Sequence, residues 1–209
     1  MRLLILVIAV LWAAPASLGQ RNHPSSGSTG GYAVIPPRFA GLDYDISRSA
    51  VHDRLIERGY TFGQESRIVT YYNGYLFNKW STVNAYWDEY LVLKAISVLI
   101  RCSEEDLYET YNSLNDHINE TYGHEQEISE FCNGLEICRD EGDWIQSINN
   151  NNHNIYKYWV GSDSTKLTTS PFRIVDSSGA AKYFVLLEYE DLDYSGVVNR
   201  RQRSNADDL

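Results

Sequence analysis

The stretch SEEDLYETYNSLNDHI, residues 103–118, constrains this chain more than any other. Ser103 stands where a helix N-cap belongs, Asp106 closes the capping box, and Leu107, Tyr111, Leu114 and Ile118 fall on one face at helical spacing. An amphipathic helix of this kind has to bury its apolar stripe against something, so the neighbouring segments are read for strands. AISVLI, residues 95–100, is compatible with the end of a preceding helix or with a buried strand, and the strand is preferred. RIVTYYNGYLFNKW reads as a hairpin turning at Asn73-Gly74, and FRIVDSSGAAKYFVLLEY as a second hairpin turning at Ser178-Gly179. Between them, INNNNHN reads as a polar turn and IYKYWV as a strand.

Two further helices are expected. SRSAVHDRLIERG, residues 47–59, offers Ser47 or Ser49 as cap, Val51 and Leu55 on one face, and Gly59 as stop. STVNAYWDEYLVLK, residues 81–94, places Val83, Tyr86, Trp87, Tyr90 and Leu91 at helical intervals after Ser81. Mixing these elements gives an α+β fold, with mixed or antiparallel sheets forming a cleft and helices flanking it. No repeat unit is visible; the two RIV-containing hairpins lie too far apart to count as one.

The ends of the chain differ from its middle. Residues 1–19 read as a signal peptide, with Arg2 before an apolar run too short to span a membrane, and residues 20–31 as a flexible Gly/Ser/Pro-rich leader. A single domain is expected over 32–196, followed by a disordered charged tail over 197–209 that holds a basic cluster, a candidate processing site. The formal net charge is −10 over 209 residues, and loss of Arg2 makes it more negative, which argues against nucleic acid as the partner. Three cysteines suit an oxidising compartment and leave one thiol over. Cys132 with Cys138 is the favoured bridge, although sequence does not fix connectivity. Their spacing does not fit zinc, and no metal is expected. Asn119-Glu120-Thr121 is a glycosylation sequon. His52, His117 and His153 are read as surface or loop residues.

Glu125 and Glu127 follow the helix-breaking Gly123-His124. In extended backbone residues i and i+2 share a face, so both carboxylates can face one cleft. From this point the order of motifs resembles the heat-labile enterotoxin A-chain family of ADP-ribosyltransferases. Glu125-Gln126-Glu127 fills the family's Glu-x-Glu position, Ser81-Thr82 stands in place of its Ser-Thr-Ser strand, and DYDISRSAVHDRLIERGY resembles its arginine segment. The likeness covers residues 41–131. The family's catalytic arginine falls near Asp43, leaving Arg48 or Arg38 to replace it, and Val83 replaces the second serine.

The resemblance implies a secreted, toxin-like effector that moves ADP-ribose from NAD, used as substrate, to a protein of a target cell, with any delivery subunit unspecified. Breaking the nicotinamide bond builds positive charge on the ribose, which a carboxylate stabilises. Glu127 would take that role and Glu125 would orient or deprotonate the acceptor. Ser81 would hold Glu127, Thr82 would shape the nicotinamide pocket, and Arg48 or Arg38 would bind the pyrophosphate. The terminal ADDL is similar to endoplasmic-reticulum retrieval signals. Two other readings stand beside this one: a non-enzymatic secreted binding protein, and a ribonuclease-like effector using His124, in which Glu188 occupies the place of an expected histidine.

Overall fold

The computed structural model describes residues 36–132 and 136–192. The signal peptide, the leader, the 197–209 tail and its ADDL lie outside the described residues. The chain forms α1 (Arg48–Glu57), β1 (Thr61–Glu65), β2 (Val69–Leu76), β3 (Lys79–Trp87), β4 (Leu93–Cys102) and α2 (Glu104–Tyr122). It continues through β5 (Glu127–Cys132), β6 (Glu136–Ile137), α3 (Glu141–Asn149), β7 (His153–Val160), β8 (Thr165–Val175) and β9 (Ala181–Asp191). All the strands join one antiparallel sheet in the order β1-β2-β3-β4-β9-β8-β7-β5-β6.

This corrects the expected α+β cleft. The fold is predominantly β, a single continuous sheet in place of mixed sheets parted by a groove. The helices supply one lid. α2 lies over β4, β9 and β8, α3 over β8, β7 and β5, and α1 beside β1. Antiparallel pairing suits a sheet covered on one face only, because alternate residues then meet core and solvent. On β9, Tyr183, Val185, Leu187 and Tyr189 are buried while the residues between them are half-buried. The same alternation places Ile96, Val98 and Ile100 of β4 in the core.

A sequence without a repeat has folded into elements that read twice. A serine-capped helix precedes an antiparallel run in each half: α1 then β1 to β4, and α2 then β5, β7, β8 and β9, with β6 and α3 inserted. The final strands of the halves, β4 and β9, pair from Ala95↔Glu190 to Cys102↔Tyr183 and weld the sheet together. The two RIV tripeptides do not correspond, since one opens β2 and the other closes β8.

Several local expectations hold. Ser47 caps α1 and Ser103 caps α2, each accepting a backbone N–H. Residues 95–100 are strand, Gly179 takes the positive φ of its turn, and Cys132 is bridged to Cys138, leaving Cys102 reduced. Three others fail. Residues 81–94 are not helical: Ser81, Val83, Ala85 and Trp87 alternate inward along β3. Residues four apart share a face in a strand as well as on a helix, and the β-branched and aromatic side chains here favour the pleat. α3, capped by Asp140 and burying Trp144 and Ile148, forms where no helix was expected. The sequon residue Asn119 belongs to α2, and its Oδ1 accepts from Trp159 Nε1 at 3.0 Å. The histidines divide: His117 is exposed, whereas His52 and His153 are half-buried within α1 and β7.

The third failure is the hairpin turn. Asn73 and Gly74 lie inside β2, and the chain turns at Phe77-Asn78, with φ of 51° and 58°. Two positive φ values are what a tight type I′ hairpin needs. Gly74 is there for another reason: the Tyr60 ring packs onto its backbone, and a Cβ would sit 2.5 Å from Tyr60 Cδ1. We expect Gly74→Ala to destabilise the protein by about 1–3 kcal/mol through overpacking. Denaturant unfolding checks this, and Tyr60→Leu in the same background should recover part of the loss.

Candidate functional site

The sheet separates the residues that the transferase reading brings together. Ser81 on β3 pairs with Gly74 and Ile100 and is fully buried on the helix side. Glu127 opens β5, five strand spacings away, which is about 24 Å along the sheet. Register also puts it on the opposite face, since Glu127↔Tyr158↔Thr168↔Glu188↔Ser97↔Asn84 form one row across the sheet, and Asn84 is an odd number of residues from Ser81. Glu127 is held by Tyr156 and Tyr158, whose hydroxyls donate to it at 2.5 and 2.9 Å. Burial and this carboxylate push the Tyr156 hydroxyl up to about 12. Glu125 lies in the bend before β5, outside the ladder, so the i, i+2 rule does not align it with Glu127; its Oε2 is buried without a hydrogen-bond partner. Gln126, between them, clamps the backbone of Val160 through both ends of its amide.

The candidate cations are engaged in the fold. Arg48 donates to Glu65 at 2.5 Å and to the Arg67 carbonyl at 2.8 Å, and lies over the Trp87 ring. Trp87 and Ser81 are at opposite ends of β3, roughly 20 Å apart. Arg38 is ion-paired with Asp43 and Asp163 and so ties the segment before α1 to the β7–β8 turn. Thr82 donates to Asn73 Oδ1 at 3.2 Å on the face opposite Ser81. These residues therefore form no common cleft. Among the described residues, no group of His, Cys, Asp and Glu side chains is arranged to hold a metal, and no helix is long and apolar enough to cross a membrane.

The face away from the helices draws attention instead. No helix packs on it among the described residues, yet it is far from uniformly polar. Near the β2–β3 turn it shows Tyr75, 69% exposed, and Trp80, 44% exposed, packed edge to face. The stacked pair Phe172 and Phe184 continues it on β8 and β9. Toward the other end Tyr71 and Tyr86 are exposed beside Asn84, Ser97, Glu188 and Glu190. Burial, then the charge of Glu190, push the Glu188 carboxyl up to about 7 against the pull of Lys166; burial raises Glu190 as well. A sequence reading misses this cluster because its members come from four strands, β2, β3, β4 and β9. A cavity of about 540 Å³ on the helix side, rimmed by Glu104, Glu105 and Glu141, lies at the starts of α2 and α3, away from the sites above. No family model matches this chain, and neither a curated protein nor a solved structure matches it.

Proposed function

We propose that this protein is exported and acts by binding another protein on the helix-free face of its sheet, without catalysing a reaction. The observation that carries this reading is the set of exposed rings of Tyr71, Tyr75, Trp80 and Tyr86 gathered on that one face. Exposed aromatic surface is costly to leave in water and is characteristic of docking sites, where aromatic anchors supply most of the affinity. Export rests on the signal peptide read in residues 1–19 and agrees with the Cys132–Cys138 bridge.

The test is capture of partners from extracellular fluid on immobilised wild type, compared with two variants. Tyr75→Ala with Trp80→Ala should weaken binding at least 30-fold, on the scale of interface hot spots. Glu105→Ala, at the helix-side cavity, should bind as wild type does. Equal capture by both variants, or none by wild type, overturns the reading. The transferase alternative makes a separate forecast: the protein releases nicotinamide from NAD, and Glu127→Gln abolishes that release. The ribonuclease-like alternative requires RNA cleavage that is lost in His124→Ala.

A further inference from the structure

Asn119-Glu120-Thr121 is the one Asn-x-Ser/Thr triplet in a sequence otherwise rich in asparagine, and its middle residue is not proline. It therefore meets the rule for an acceptor of an N-linked glycan. By itself such a triplet says little, and the fold adds a second observation through the Asn119 amide. Asn119 lies in the last turn of α2, and its Oδ1 accepts from Trp159 Nε1 at 3.0 Å. An indole nitrogen only donates, so the amide oxygen has to face the buried ring and the amide nitrogen has to face away from it. Nδ2 makes no hydrogen bond among the described residues, and it is not among the enclosed polar atoms.

The surface around that nitrogen is open. Asp116, His117, Glu120 and Thr121 are exposed, and a Cβ built at Gly123, one turn beyond Asn119, meets nothing within 4 Å. A substituent on Nδ2 has room to leave the protein while Oδ1 goes on accepting from Trp159. Access in time matters as well, because the finished α2 holds the triplet in helical backbone. Trp159 lies 40 residues after Asn119, and the sheet on which α2 packs is complete only with β9. An isolated helix of this length is marginal in water, so the triplet emerges as pliable chain before its packing partners exist.

We propose that this protein carries an N-linked glycan on Asn119 when it is exported through a eukaryotic-type secretory membrane. The inference rests on the export part of the reading above and is independent of the binding face. In the transfer, Asn119 Nδ2 attacks C1 of an oligosaccharide held on a lipid diphosphate. The Nδ2–C1 bond forms, the C1–O bond to the diphosphate breaks, Nδ2 gives up one proton, and the lipid diphosphate leaves with the electron pair. The glycan stands at the end of α2 on the helix side, and the opposite, aromatic face of the sheet stays uncovered.

The experiment is expression of the full chain in a mammalian cell line, with the medium analysed before and after peptide N-glycosidase F. Wild type should run as a heavier species that the enzyme collapses to the polypeptide mass, and peptide mass spectrometry should find the enzyme's mark, deamidation, at Asn119. Thr121→Ser, which preserves the acceptor rule, should keep the shift. Thr121→Ala, which leaves the bond between Asn119 and Trp159 in place, should lose it entirely. The Thr121 hydroxyl donates to the His117 carbonyl of its own helix, so both variants should fold. Exchange of the Trp159 indole N–H checks that, and it should be equally slow with and without the sugar. Secreted wild type with no shift, a shift that survives in Thr121→Ala, or indole exchange that quickens when the sugar is present would overturn the proposal. When the protein is in the medium, such a result leaves the export reading standing. Protein found only inside the cell, and unshifted, would overturn export and the modification together.

Discussion

Glu188→Gln stabilises the protein by about 3 kcal/mol at pH 8 and leaves its stability nearly unchanged at pH 4. The folded carboxyl titrates at about 7, raised first by burial and then by Glu190, whereas an unfolded glutamate titrates near 4.3. A folded pKa above the unfolded one means that the native state binds the extra proton. The stabilisation is complete below about pH 4 and is lost as pH rises through about 7. A gap of roughly 2.5 units corresponds to about 3 kcal/mol. Glutamine keeps the shape of the protonated acid and cannot ionise, so it removes the alkaline penalty. Urea unfolding of wild type and variant at pH 4, 6 and 8 should show the two curves separating only on the alkaline side. A constant difference at all three pH values would assign the effect to packing. Glu190→Gln should bring the Glu188 midpoint down, because it deletes the second cause of the shift.

Trp159→Ala should cost about 3–5 kcal/mol, the range for truncating a large buried aromatic. Trp159 is fully buried, and its Nε1 donates both to Asn119 Oδ1 and to the Gly123 carbonyl at 3.0 Å, so one indole fixes β7 to the last turn of α2. Trp159→Phe retains most of the apolar volume but leaves those two acceptors without a donor, at about 1–3 kcal/mol. The expected order is wild type, Phe, then Ala. Amide exchange in the Phe variant should rise most at residues 119–123. Uniform exchange across α2 would show that the ring's volume, and not its N–H, holds the helix end.

The helices with clean caps and one-sided apolar patterns were legible in the chain: Ser47 and Ser103 mark their starts, and Leu107, Tyr111 and Leu114 face the core. So was the Ser178-Gly179 turn. β3 was not, because its Val83 and Trp87 are four apart, a spacing that satisfies a helix turn and a strand face alike. Asn73-Gly74 carried a strong turn signal, yet glycine was needed for ring contact with Tyr60, and the positive φ angles fell to Phe77 and Asn78. α3 had a readable signal in Asp140, Trp144 and Ile148, obscured by the polar run beside it. The pairing of β4 with β9 joins segments from the two halves of the chain, and nothing local to either encodes it. That pairing also decides the site. Glu125, Glu127 and Ser81 looked adjacent through motif order, whereas Asn84, Ser97 and Glu188 became neighbours only through strand register.

The position of β9 carries a cost in time. It lies between β4 and β8, so until residues 181–191 are available both of those strands present bare backbone edges and no strand pairing joins the two halves. A ribosome delivers those residues after almost all the rest of the described chain, and closing so long a loop is slow. Completion of the sheet therefore waits for residues 181–191, and a nascent chain stalled short of residue 181 exposes two sticky rims for other polypeptides to seize.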